Sequence, residues 1–147
     1  MSKQTPPLFK QDFSADYGKA EPMSPLIERV LCNNPSPYTY TGTGTYIVGS
    51  SHDVAVIDPG PLMPEHGNAI LEALKGRTIS HILVTHTHAD HSPLAAWLKE
   101  KTGAPTYGYG AHGSGRKGGL DSEDVEDGAD KQFVPDIEIK DGDLLTG

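Results

Sequence analysis

The chain has 147 residues, with 20 acidic side chains against 12 basic ones and a formal charge of -8. That length holds one domain with its own core but not two full domains, and the acidic balance excludes a general attraction to nucleic acid or anionic membrane. Apolar runs such as Ile82 to Val84 fall far short of the ~20 residues of a membrane span, and the opening Met-Ser-Lys-Gln-Thr-Pro-Pro has no apolar signal core, so a cytoplasmic protein with no membrane partner is expected.

Residues 1–24 are polar and proline-punctuated, with scattered apolar anchors at Leu8, Phe9, Phe13 and Tyr17, and read as an extended N-terminal arm. The domain proper is expected over 25–147. Leu26 to Leu31 reads as a first strand, broken by Asn33 to Pro37. Thr43 to Val48 and Asp53 to Asp58 are rich in Thr, Tyr, Ile and Val, and Gly-Ser-Ser-His between them suits a hairpin. A helix is predicted from about Glu65 to Lys75, with Ile70, Leu71 and Leu74 on one stripe and Gly76 at its stop. Ile79 to Thr85 is a β-branched apolar run of the kind that makes a strand buried on both faces. After His86 to His91, Ser92 fits an N-cap and Pro93 a first helical position for a helix ending at Gly103. A short strand near Pro105 to Tyr109 follows, so the fold class is α/β.

Gly108 to Gly119 and the acidic run Asp121 to Asp130 read as a solvated loop, within which Arg116 and Lys117 are a loop tip or a contact for an anionic substrate. Phe133 to Ile139 alternates as a strand should. Lys140-Asp141-Gly142-Asp143 is a turn signal, and the return strand it announces breaks off at Gly147, as in a truncated domain.

The chemistry concentrates in His86-Thr87-His88-Ala89-Asp90-His91, four metal donors within six residues. At this composition such a pattern arises by chance on the order of once in a thousand chains. Extended side chains at i and i+2 share a side, so His86 and His88 can converge on one ion while Asp90 and His91 project toward a second. The cluster lies beyond the end of a strand and before a helix, where α/β sheets hold ligands. Cys32 is the only cysteine, so no thiolate cage is available. Imidazoles with a carboxylate suit Zn²⁺, with Fe or Mn possible in an oxygen-richer shell. Asp58, at the end of a strand expected beside the metal strand, can orient the ligand loop by hydrogen bonding, or simply form a turn before Pro59. His52 reads as a hairpin residue, His66 as an exposed helix-start residue, and His81 as a strand residue with a local partner.

The segment resembles the metal signature of the metallo-beta-lactamase superfamily. The resemblance extends through Asn34-Pro35-Ser36-Pro37 to Thr45-Tyr46-Ile47-Val48-Gly49, the strand ending in Asp58-Pro59-Gly60, and the late Asp141-Gly142-Asp143. It points to the branch with the lactamase-beta-like endoribonucleases and hydroxyacylglutathione hydrolases. It implies the N-terminal half of a four-layer αββα sandwich, with His86 and His88 on a first metal, Asp90 and His91 on a second, and Asp58 behind them. Relatives carry three further donors that nothing after His91 supplies; His112 stands in a glycine loop. The implied activity is hydrolysis of an ester, thioester, lactone or amide in a small-molecule substrate by a metal-activated water, with Asp90 catalytic, in the full-length enzyme. RNA cleavage by the full-length protein, or an inert metal-binding fragment, are the alternatives. A further expectation is that Ile47, Val56, Ile82 and Val84 form an uncovered face through which the fragment self-associates.

Overall fold

The computed structural model describes residues 16–114 and 128–147. Seven strands form one sheet in chain order: β1 (Ala20–Ser24), β2 (Ile27–Leu31), β3 (Gly44–Val48), β4 (Asp53–Ile57), β5 (Thr78–Leu83), β6 (Thr106–Gly108) and β7 (Ile137–Glu138). The first four are antiparallel neighbours, and β4 to β7 run parallel. Helix α1 (Pro64–Leu74) makes the β4–β5 crossover and α2 (Leu94–Thr102) the β5–β6 crossover. The α/β class follows as expected.

The core unites the two helices with one face of the sheet. Ile70, Ala73 and Leu74 from α1 and Leu94, Ala95 and Leu98 from α2 join Val30, Ile47, Val54, Val56, Ile79, Ile82 and Val84 in one buried cluster. This overturns the expectation that Ile47, Val56, Ile82 and Val84 lie on the uncovered face, since none is more than 6% exposed. The uncovered face is the alternate set, Tyr46, Val48, Ala55, Ile57, His81 and Leu83, paired across the strands in register. Ile47, Val56 and Ile82 do pair across one face, as grouped, but helices α1 and α2 cover that face. Strand β5 is therefore buried on one face only. A register shift opposite Val54 and Ala55 places Ile79 and Ile82, three apart, on the same side.

Several local expectations are refined. Ala20–Ser24, within the segment expected as an arm, pairs with β2 as strand β1. Helix α1 stops on Lys75, which takes the left-handed conformation (φ 51°) itself, one residue before Gly76. Phe133 is buried in the core, but only Ile137–Glu138 of its segment form a strand, and no return strand follows the 140–143 turn. Residues 115–127, which include Arg116, Lys117 and most of the acidic run, lie outside the described residues. No helix among the described residues is long and apolar enough to cross a membrane.

Candidate metal centre

Because β4 and β5 are parallel neighbours, their carboxyl ends open on the same edge. Asp58 leaves β4 there with φ 52°, a left-handed turn that an L residue adopts only when its surroundings hold it. Its backbone N–H donates to the Leu83 carbonyl (2.8 Å), tying it to the end of β5. Its carboxylate then accepts from the Thr85 N–H (2.8 Å), the Thr85 hydroxyl (2.7 Å) and His91 Nδ1 (3.0 Å). Burial acts to raise the Asp58 pKa, but the bonds from His91 and Thr85 outweigh it and hold the carboxyl below its usual range. The same bond to Asp58 raises the pKa of His91.

These contacts fix which ring nitrogens face outward. The Thr85 hydroxyl gives its single proton to Asp58, so it can only accept from His86 Nδ1 at 2.9 Å. His86 therefore carries its proton on Nδ1 and presents a bare Nε2 lone pair. His91 donates Nδ1–H to Asp58 and, through Nε2–H, meets Asp90 Oδ2 at 3.1 Å, so its Nε2 becomes free to ligate once that proton is given up. Burial, followed by the neighbouring His91 and His88, lowers the pKa of His86, favouring the neutral imidazole that metals bind. The His86 and His88 rings meet edge to face with centroids 4.6 Å apart, and the His86 and His91 rings meet tilted at 46° with centroids 4.1 Å apart.

The structure brings all four motif donors and Asp58 together. Ligand atoms of His86, His88 and Asp90 lie within 4.8 Å of one another, as do those of Asp58, His86 and His91. The groups thus share His86, rather than dividing into His86 with His88 and Asp90 with His91. His52 is exposed at the β3–β4 connection and His81 bonds Ser80 (2.7 Å), both away from the cluster as expected. His112 meets the Thr87 hydroxyl at 2.8 Å.

Two partners of the ligand loop were not legible in the sequence. Asp130, expected in a solvated loop, instead clasps it: the Asp130 N–H donates to the Thr87 carbonyl (2.7 Å), the Ala89 N–H to the Gly128 carbonyl (2.7 Å), and the Ser92 hydroxyl to Asp130 Oδ2 (2.7 Å). Ser92 therefore does not cap α2 with its side chain; Pro93 stands at the N-cap. The other is His66, which is 4% exposed rather than on the surface. Burial pushes its pKa down to about 4.

An open cleft of about 760 Å³ lies over the cluster, walled by Asn34, Ser36, Tyr38 and Thr39. That wall is held by Asn34, whose side chain bonds both the backbone N–H and the hydroxyl of Thr43 (2.9 and 3.1 Å), and by Ser36, whose hydroxyl accepts from the Tyr38 and Thr39 N–H groups (3.1 Å each). Gly42, at φ 142°, closes the loop where a Cβ would stand 1.9 Å from the Cys32 carbonyl oxygen.

The sequence profile of the metallo-beta-lactamase superfamily matches residues 40–147. The chain belongs to that superfamily. Its fold agrees: a metallo-beta-lactamase from Cronobacter sakazakii superposes with a TM-score of 0.63 at 22% identity over 87% of this chain and 50% of its own. A subclass B3 metallo-beta-lactamase of Bradyrhizobium japonicum superposes with a TM-score of 0.58 at 24% identity, over 87% of this chain and 47% of its own. The described sheet and helices are thus the N-terminal part of a metallo-beta-lactamase fold. Among characterised relatives, an atrochrysone carboxyl ACP thioesterase of Aspergillus terreus is 42% identical over 85 residues, 56% of this chain and 27% of the relative. The lactamase-like protein notP of an Aspergillus species is 40% identical over 77 residues, 49% of this chain and 24% of the relative. The matched stretch is about a quarter of these relatives' length.

Proposed function

We propose that this metallo-beta-lactamase domain is a metal-dependent hydrolase whose centre is built on His86, His88, Asp90 and His91, and that it cleaves a thioester. The observation that carries the first part is the arrangement around Asp58: it engages the Nδ1 side of His91 directly and of His86 through Thr85, leaving both Nε2 atoms for a ligand beside His88 and the half-buried Asp90 in an open cleft. A set of imidazoles and one carboxylate suits Zn²⁺ before Fe or Mn. The thioester follows the activity named for the Aspergillus terreus relative.

Within this reading His86, His88 and Asp90, whose ligand atoms lie together, would hold one ion, and His91 would contribute to a second. When bound, such ions supply Lewis acidity and make water nucleophilic near neutral pH. Asp90, at the cleft, would accept the proton of that water. Asp58 never meets substrate; it keeps two imidazoles in the tautomer that can ligate. Ser36, Tyr38 and Thr39 flank the acyl group from the cleft wall.

The test uses the full-length protein, compared on a small acyl thioester, the matching oxygen ester and single-stranded RNA, with metal content measured in parallel. His88→Ala is expected to lower metal content and abolish thioester hydrolysis together, and His52→Ala to leave both unchanged. Retained metal and activity in the His88 variant would sink the ligand assignment, and preference for RNA would sink the thioester.

A further inference from the structure

The strongest feature outside the ligand set is a buried polar chain behind Asp58. His66, in the first turn of α1, lies 2.8 Å through Nε2 from the hydroxyl of Thr45, which is fully buried in β3. The same hydroxyl lies 2.8 Å from the Asp58 carbonyl oxygen. A carbonyl can only accept, so the single Thr45 proton goes to Asp58, and the contact with His66 requires a proton on Nε2. Nδ1 is then a bare acceptor, buried without a partner among the described residues. In the opposite tautomer Thr45 would have to turn its proton to Nε2 and leave the Asp58 carbonyl without its bond; the Pro59 carbonyl beside the ring also favours a proton on it.

The ring also packs on the other end of the same turn. A Cβ on Gly60 would stand 3.2 Å from the ring's Cδ2, so the imidazole is seated close against Gly60. Gly60 donates its N–H to the His91 carbonyl at 2.9 Å and accepts from the Leu94 N–H at 3.0 Å. His66 thus holds the Asp58-Pro59-Gly60 turn at both ends. One end presents the carboxylate to His91, and the other fixes the His91 backbone.

We propose that His66 is a positioning residue of the metal centre: its Nε2–H, given to Thr45, holds Asp58 in the left-handed turn from which the carboxylate reaches Thr85 and His91. The idea rests on the proposed metal site for its consequence, but not for its geometry. It separates two isosteric replacements, because the amide nitrogen of Gln reaches the Nε2 position and that of Asn only the Nδ1 position.

The experiment is ¹⁵N NMR of the chain, reading the His66 tautomer and the amide resonance of Thr85, whose N–H is donated to Asp58, together with Co²⁺ titration followed by its visible spectrum. Expected are an Nε2–H tautomer in the parent and an unmoved Thr85 amide in His66→Gln, with Co²⁺ affinity within about threefold of the parent. In His66→Asn and in Thr45→Val, which leaves the imidazole in place, the Thr85 amide is expected to shift and Co²⁺ affinity to fall about tenfold or more. An Nδ1–H tautomer, or Gln and Asn variants that match in both readouts, would overturn the proposal. A parent that takes up no Co²⁺ refutes the metal site instead, and the tautomer and Thr85 readouts still decide the role of His66.

Discussion

His66 ties the centre to solution pH in a direction that can be worked out. Its pKa of about 4 in the fold lies below the ~6.5 of an unperturbed imidazole. Between those values the unfolded chain binds the extra proton, so this residue's stabilisation is complete above pH ~6.5 and declines as pH falls toward 4, by roughly 3 kcal/mol in all. Thermal or denaturant melts across that window should show the loss in the parent and a much flatter profile in His66→Gln; equal slopes would mean the imidazole is not held neutral. The motif from His86 to His91 was legible in the sequence because its donors are contiguous, and Asp58 because a strand end before proline marks it. His66 and Asp130 were not, because what makes them matter lies 21 residues away at Thr45 and 38 residues away at Ser92. No window of local sequence distinguishes a buried helix-start histidine from an exposed one.

The secondary elements followed the sequence more closely than their faces did. Periodicity placed β3, β4, α1, β5 and α2 within about two residues of their observed limits. It could not find the register shift in β5, which depends on the pairing with β4 and turns Ile79 to the side of Ile82, nor which face of the sheet the helices cover. The two helices meet where Gly67 of α1 faces Trp97 of α2. A Cβ at Gly67 would fall 2.5 Å from the indole ring, which is closer than atoms can approach. Gly67→Ala, on helix propensity alone, should stabilise. Here the overlap with Trp97 should reverse the sign and cost about 1–3 kcal/mol in a denaturant melt, and Trp97→Ala in the same chain should relieve much of that loss. A stabilised Gly67→Ala variant would show that the helices are not in contact at this point.

For the molecule as a whole, the sheet has a covered face and an uncovered one, and substitutions should report the difference. Ile82→Ala, on the helix side and fully buried, is expected to cost about 2–5 kcal/mol. Ile57→Ala, half-buried on the other side, should cost less than half as much in the same chain; equal losses would mean that the second face is also packed. The strand order carries a different consequence. The antiparallel strands β1 to β4 pair over short separations that favour rapid folding, and the sheet can grow from that local meander toward β7, although the parallel pairs beyond β4 join residues roughly 24 to 30 positions apart. The ligand loop departs further from this local order. It is closed by Gly128 and Asp130, some 40 positions beyond His88, so loop-closure entropy opposes its completion until the end. On that ordering the scaffold forms first and the donors gain their final arrangement last. A nascent chain would thus carry β1 to β6 before it had a site able to grip an ion.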